Sequence, residues 1–282
     1  MKIIDVINKM KAYHKGEVRG IAINDTTTRD KILYGDPEQE CTGIVTTCWA
    51  SVDVIKQAHE FGANLIISHE ALFWNRGDKT DWLLEQENKT FLEKKKLLDE
   101  AGIVVWRDHD YIHSGIPVDG SYVDGIFYGV MEEIGWEKYL IDDLARPMTF
   151  QLPEQTAEEV GKELIEKFGL NGIKVIGNLD TKVSKSAICL HIMGDFDNQV
   201  ISRVDKENID LLICMELTDY TLSEYVRDSG MLNIPKVILA VGHFNTEEPG
   251  MKYMVNYIPE AIGEPIPCKF IKSGDMYNYI TK

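Results

Sequence analysis

Four of the seven histidines in this sequence follow predicted β-strands directly or within a few residues. These four and their neighbouring carboxylates are His69, His109, His113 and His243, with Glu70, Asp108, Asp110 and Glu247. Imidazole and carboxylate groups together suit divalent transition metals such as zinc, iron or manganese, and the lack of nearby cysteine argues against a thiolate site. The pattern therefore predicts a metal site made from histidine and carboxylate side chains.

The strand that positions the first of these histidines is predicted over Leu65–Ser68. This run is almost entirely apolar and follows the turn formers Gly62 and Asn64, which indicates a short buried strand. In an open α/β sheet, ligands bind at the carboxyl ends of strands, where loops leave the hydrogen-bond ladder. We therefore expect His69 and Glu70 to lie in a crevice at one edge of a sheet.

Short extended runs alternate with helical patterns along most of the chain, which predicts α/β architecture. Predicted strands cover 43–47, 65–68, 103–106, 148–152, 173–176, 187–192, 211–214 and 237–241. Predicted helices cover 51–61, 89–100, 123–134, about 156–168, 198–206 and 222–227. Among these, Ser51 is a candidate N-cap, and Thr156 with Glu159 forms a capping box.

Two βα-rich parts flank a segment of different rhythm, which suggests a pseudo-twofold layout. The predicted class is α/β, with two related lobes of mixed or parallel sheets flanked by helices and a smaller α+β middle segment. The predicted divisions are an N-terminal lobe part at 1–147, the middle segment at 148–184 and a C-terminal lobe part at 185–282.

Composition limits the classes of partner. The formal net charge is −16 and the pI is about 4.9, so the average field repels phosphate backbones and anionic membranes. No apolar run is long enough for a membrane span. The five cysteines are scattered without a Cys-x-x-Cys pair, so neither a disulfide framework nor a zinc finger is indicated. We expect a cytoplasmic protein with reduced thiols and no nucleic-acid or membrane partner.

Several motifs resemble those of the NIF-three-like family of interacting-factor proteins, almost from end to end. The segment Leu65–Trp74 resembles a family strand that ends in a His-His pair, and Gly242–Glu247 resembles the family motif Gly-His-Tyr-x-x-Glu. His109–His113 resembles the family element His-x-x-x-Asp. Tyr122-Val-Asp124 before a helix and Cys214-Met-Glu216 are supporting matches. The combination of motifs makes the resemblance specific.

Two positions depart from the family pattern. Glu70 stands where the family usually has its second histidine, and His113 stands where the family has an aspartate. Because the two exchanges run in opposite directions, the inventory of nitrogen and oxygen ligands is retained. We infer an altered but competent site, in which metal preference or the pKa of a bound water is shifted.

The resemblance implies a dinuclear centre that binds two divalent transition-metal ions, zinc, iron or manganese. The implied ligands are His69, Glu70, His109, His113, His243 and Glu247. It also implies a GTP cyclohydrolase 1 type 2-like activity and a homohexamer. If the site is catalytic, we expect hydrolysis of a nucleotide or phosphoester, with Glu216 or Asp110 moving protons.

Two other interpretations remain open from the sequence. The protein could be a non-catalytic metal-binding or regulatory interaction protein, or a member that binds one metal and has lost activity. A catalytic site keeps an open coordination position, whereas a structural site is closed by protein ligands. Six ligands shared by two metals leave open positions, which favours the hydrolase.

Overall fold

The computed structural model describes residues 1–75, 77–194 and 197–280. By compactness the chain forms two units, which we call unit 1 (residues 1–129 and 250–273) and unit 2 (residues 130–249 and 274–280). The three segments predicted from the sequence follow chain order rather than compactness, and that division stays a prediction. Each unit is described by itself below.

Unit 1 contains the first half of the chain and a returning segment near its end. Its helices are α1 (Ile3–Tyr13), α2 (Val52–Phe61), α3 (Asp81–Glu85), α4 (Lys89–Ala101) and α5 (Asp110–Ser114). Its strands are β1 (Glu17–Val18), β2 (Ile21–Ala22), β3 (Ile32–Tyr34), β4 (Ile44–Thr47), β5 (Leu65–Ser68), β6 (Val104–Arg107), β7 (Ile116–Val118), β8 (Ser121–Val123) and β14 (Cys268–Phe270). The helices α6 (Gly125–Ile134) and α10 (His243–Ile262) each include a boundary between the units.

The main sheet of unit 1 has the strand order β14-β4-β5-β6-β3. The first four strands are parallel, and β3 pairs antiparallel with β6. Successive side chains of β5 enter two different apolar clusters: Leu65 and Ile67 lie in one with α1, and Ile66 lies in the other with α2 and α4. A parallel sheet covered on both faces requires such continuous apolar strands. The carboxyl ends of β4, β5 and β6 consequently share one edge.

Unit 2 contains a second five-stranded sheet. Its strands are β9 (Thr149–Thr156), β10 (Lys174–Ile176), β11 (Lys182–Ile192), β12 (Leu211–Leu217) and β13 (Val237–Ala240). Its helices are α7 (Ala157–Phe168), α8 (Asp197–Lys206) and α9 (Leu222–Met231), with one 3₁₀ turn at Glu137–Tyr139. The strand order is β10-β13-β12-β11-β9, in which β11, β12 and β13 are parallel and both edge strands are antiparallel.

The predicted α/β class with mixed sheets flanked by helices is confirmed. The predicted strand at Leu65–Ser68 has the bounds that the structure gives it, and Ser51 caps α2 by accepting a hydrogen bond from the Val54 amide. The capping box of Thr156 and Glu159 is also present. Helix α10 was not predicted, because Pro249 lies inside it and proline normally interrupts a helix.

No helix in the described parts of the chain is both long enough and apolar enough to span a membrane.

The buried lysine Lys94 of α4 holds the segment that follows β5. Its Nζ donates a 2.8 Å hydrogen bond to the Leu72 carbonyl oxygen and lies 5.0 to 5.7 Å from the ring centres of Trp49, Phe73 and Trp74. The side chain is almost wholly enclosed, and burial lowers the pKa of Lys94 to about 7. The folded state therefore favours the neutral amine more than the unfolded chain does.

Because of this lysine, we expect the free energy of unfolding to increase as the pH rises above 7. Because the unfolded chain keeps its lysine protonated up to a pKa of 10.5, it binds more protons than the folded chain above pH 7, so stability rises with pH. Between pH 7 and pH 9 the gain should be about 2 kcal/mol. Urea unfolding at both pH values measures it. Lys94→Met should reduce the increase of unfolding free energy with pH, whereas the exposed Lys96→Met on the same helix should leave that increase unchanged. The same increase in all three proteins would contradict the expectation.

Candidate metal-binding site

Three of the predicted histidines meet at the shared strand edge of unit 1. His69 directly follows β5, and the neighbouring parallel strand β6 leads through Asp108 to His109 and then to His113 on α5. The ring centres are 4.5 Å apart for His69 and His109, and 5.1 Å apart for the other two pairs. One nitrogen from each ring lies within 4.8 Å of the others, so these side chains could hold one metal ion. We call them the three-histidine group.

Each ring of the three-histidine group has its Nδ1 atom hydrogen-bonded to an oxygen. His69 Nδ1 is 3.0 Å from the Asp108 carbonyl oxygen, His109 Nδ1 is 2.9 Å from Asp110 Oδ1, and His113 Nδ1 is 2.9 Å from Asp124 Oδ2. A carbonyl or carboxylate oxygen accepts, so each Nδ1 carries the hydrogen. The lone pair of each neutral ring is then on Nε2, which is how metal-binding histidines are commonly oriented.

The charge state of His109 suits the same role. Burial first, and then the neighbouring His69, lower the pKa of His109 to about 4, so the ring is neutral near pH 7. The hydrogen bond from His109 lowers the pKa of the Asp110 carboxyl below its ordinary value. Neutral imidazole and ionised carboxylate are the forms that a metal site requires. The donor set therefore fits a divalent transition metal.

Glu70 lies beside this group and is held by an ion pair. Arg107 Nη2 donates to Glu70 Oε2 at 2.8 Å, and Arg107 Nε donates to the His69 carbonyl oxygen at 3.0 Å. The other oxygen, Glu70 Oε1, is 4.0 Å from His109 Nε2. Arg107 is 3% exposed and also lies 3.5 Å from Asp78, so the ion pair is largely enclosed. One carboxylate oxygen of Glu70 is thereby fixed, and the other faces the histidines.

The short helix α5, which carries His113, is capped by a residue from far away in the chain. The buried Asp30 carboxylate accepts hydrogen bonds from the backbone amides of His109, Asp110 and Tyr111. The first amides of a helix have no partner within the helix, so they need an external acceptor. Asp30 supplies it and fixes the backbone on which two of the three histidines lie. Sequence reasoning missed Asp30, because no local pattern links it to α5.

A second group of possible ligands lies in unit 2. His191 near the end of β11 is paired in register with Glu216 of β12, and His243 begins α10 directly after β13. The two oxygens of Glu216 are hydrogen-bonded to Nδ1 of His191 and to Nδ1 of His243, respectively. One ligand atom from each of the three side chains lies within 4.8 Å of the others. We call these the Glu216 group.

Glu247 lies one helical turn after His243 on α10. Its Oε2 is 3.2 Å from His243 Nε2, and the side chain is 4% exposed. Among the predicted residues, His69, Glu70, His109 and His113 belong to unit 1, and His243 and Glu247 belong to unit 2.

Glu216 and Asp110, expected as proton-transfer groups, are both bonded to imidazole in the structure. Burial by itself would raise the pKa of Glu216, but the hydrogen bonds with His191 and His243 lower it to about 2. A carboxylate held ionised by two rings is suited to orienting them rather than to accepting a proton near pH 7. His191 was missed from the sequence. The strand-end rule that selected the other histidines would have found it, since the predicted strand ends at residue 192.

Comparisons with known proteins agree with this fold. A protein of Clostridium perfringens (strain 13 / Type A) named "GTP cyclohydrolase 1 type 2 homolog" is 24% identical over 258 residues, which covers 88% of each chain. A Clostridium acetobutylicum protein of the same name is 23% identical over 272 residues and covers 93% of this chain and 91% of its own.

Solved structures give the same fold at lower identity. A hypothetical protein of Staphylococcus aureus superposes with a TM-score of 0.69 at 15% identity, and a Bacillus cereus protein related to NIF3 superposes with a TM-score of 0.69 at 12% identity. Each comparison covers 99% of both chains. The model of the Duf34/NIF3 (NGG1p interacting factor 3) family matches residues 2–275, so the chain belongs to that family.

Proposed function

We propose that this protein is a metal-dependent hydrolase that acts on a nucleotide or phosphoester and binds two divalent transition-metal ions, zinc, iron or manganese. The observation that carries the proposal is the orientation of the three-histidine group. All three rings have Nδ1 bound to an oxygen, which leaves the lone pair of each neutral ring on Nε2, and one nitrogen of each ring lies within 4.8 Å of the others. A buried set of imidazoles without a ligand function has no need for the same tautomer in every ring.

The proposed ligands are divided between the two groups. In unit 1, His69, His109 and His113 hold one ion, and Glu70 offers one further oxygen. In unit 2, His243 and Glu247 hold the other ion. His191, which Glu216 orients together with His243, adds a donor that the sequence did not suggest. With His69, His109 and His113 as the three protein ligands of the first ion, a fourth coordination position stays open, as in catalytic metal sites.

A bound divalent ion would supply Lewis acidity and would lower the pKa of water, which is the chemistry that hydrolysis needs. The side chains of this protein do the remaining work. Asp110 and Asp124 accept from Nδ1 of His109 and His113 and so fix the hydrogen of each neutral ring on Nδ1. Glu216 does the same for two rings in unit 2. Arg107 neutralises Glu70 and limits the negative charge beside the three-histidine group.

The choice of substrate and assembly depends on relatives and resemblance. Two similar proteins carry the name GTP cyclohydrolase 1 type 2 homolog, which supports a nucleotide as the class of substrate. We further propose a cytoplasmic homohexamer that takes a small-molecule substrate, with no nucleic-acid partner. The net charge of −16 supports the last point, because it repels phosphate backbones.

Elemental analysis of the purified protein tests the proposal. We expect about two transition-metal ions per chain, as for other two-metal sites, and hydrolysis of at least one member of a panel of nucleotides and phosphoesters. Metal without hydrolysis would favour the alternative, a non-catalytic metal-binding or regulatory protein. No bound metal after incubation with zinc, manganese or iron would overturn the metal site itself.

A further inference from the structure

Arg29 contacts His109 of the three-histidine group, and its backbone belongs to a segment that is hydrogen-bonded to the start of α5. The Thr28 hydroxyl oxygen lies 2.8 Å from both Asp30 Oδ2 and Asp110 Oδ2 and shares its one hydrogen between them, and the Arg29 backbone amide donates to Asp110 Oδ2 at 3.1 Å. These bonds fix the backbone of residues 28–30 against the start of α5. The Arg29 side chain itself is exposed, and its Nη1 is 2.9 Å from His109 Nε2.

This contact identifies which nitrogen of His109 has the lone pair. A guanidinium group can only donate hydrogen bonds, so His109 Nε2 must accept. That assignment agrees with the hydrogen bond from Nδ1 to Asp110. The atom that would bind a metal ion is therefore the atom that Arg29 contacts. A metal ion and the guanidinium compete for one lone pair, and their positive charges repel each other at this distance.

The carboxylates around the group already have other partners. Glu70 is paired with Arg107, Asp110 is bonded to His109, and Asp124 is bonded to His113. Within residues 1–75, 77–194 and 197–280, no carboxylate forms an ion pair with Arg29. When a metal ion displaces it from His109, the guanidinium keeps its fixed backbone and its charge. An anion bound to the metal would give it a partner, since arginine binds phosphate and carboxylate in bidentate fashion.

We propose that Arg29 is a substrate-binding residue that recognises an anionic group, a phosphate, on a ligand bound at the three-histidine group. This inference rests on the proposed metal site and adds a specific role for one residue. Metal and phosphate then bind cooperatively: the anion relieves the repulsion between metal and guanidinium, and the metal frees the guanidinium to bind the anion.

The test compares the unaltered protein with Arg29→Gln by titration calorimetry, using manganese alone and then inorganic phosphate on the manganese-loaded protein. In the absence of phosphate, the variant should bind manganese about three- to tenfold more tightly, because a competing hydrogen bond and a repulsive charge are gone. Phosphate should bind the loaded variant about tenfold or more weakly, because a charge-assisted hydrogen bond is lost. The exposed Arg19→Gln, in the turn between β1 and β2, is the matched control and should change neither affinity.

The variant is expected to bind manganese more tightly and phosphate more weakly, and these opposite changes distinguish a substrate-binding role from a structural one. If Arg29 only supported His109, the variant would bind manganese more weakly, and that result would overturn the inference. Loaded protein that binds manganese but no phosphate would also overturn it, while the metal site would stand. Protein that binds no manganese, zinc or iron would instead show that the proposed function has failed.

Discussion

Replacing His69 and His243 together with alanine should reduce the metal content from about two ions per chain to nearly none. His69 supplies one of three lone pairs in unit 1, and His243 touches both Glu216 and Glu247 in unit 2. Each single variant should lose about one ion, because three ligands are the fewest that hold zinc in a catalytic site. Elemental analysis after dialysis against metal-free buffer measures the loss.

Controls must separate loss of metal from loss of fold. His59→Ala changes an exposed histidine near the end of α2 and should leave the metal content unchanged. Because His69 is fully buried, a second pair of variants, His113→Ala with His191→Ala, removes more accessible rings from the same two groups. Circular dichroism should show a folded protein in each case. Unchanged metal content in both double variants would contradict the proposed ligand assignment.

Asp30→Ala should destabilise the protein by about 3 to 5 kcal/mol. The substitution leaves the backbone amides of His109, Asp110 and Tyr111 without their acceptor, in a place where Asp30 itself is only 3% exposed. An unsatisfied buried donor costs about 1 to 3 kcal/mol, and here one buried amide, that of Tyr111, and two partly buried amides lose their acceptor together. Urea unfolding of the metal-free protein at pH 7 measures the change without any contribution from a bound ion.

Asp25→Ala is the matched control for this change. Asp25 lies in the same loop, but it forms an exposed ion pair with Lys11 at 2.8 Å, and exposed pairs contribute only about 0 to 1 kcal/mol. The Asp30 variant should also bind less metal, because the backbone of His109 loses its anchor. A variant that unfolds at the same urea concentration as the unaltered protein would contradict the capping role of Asp30.

The parts of the fold that local chemistry determines could be predicted from the sequence. The apolar run Leu65–Ser68, the cap at Ser51 and the capping box at Thr156 depend on neighbours in the chain, and all three are present. Helix α10 was missed because Pro249 argues locally against a helix, whereas the tertiary structure accommodates it. The second half of α10 packs on the unit 1 sheet through residues such as Met254, and no local pattern reports that contact.

In the candidate site, too, the sequence predicts features that depend on neighbouring residues and misses those that depend on distant ones. The strand-end rule put forward His69, His109, His113 and His243, and the first three do lie together at one edge of the unit 1 sheet. Asp30 and Arg29 could not be found in this way, because both act on residues about 80 positions away in the chain.

That sequence separation also determines when the site can form during folding. Helix α5 has five residues, and a helix that short is unstable in isolation. Its cap comes from Asp30, 80 positions before Asp110, so the chain must first lose the entropy of closing a long loop. In small zinc domains the metal ion drives folding. Here the three imidazoles gather only after distant segments of unit 1 have docked, so the proposed metal site is complete only once the unit has folded.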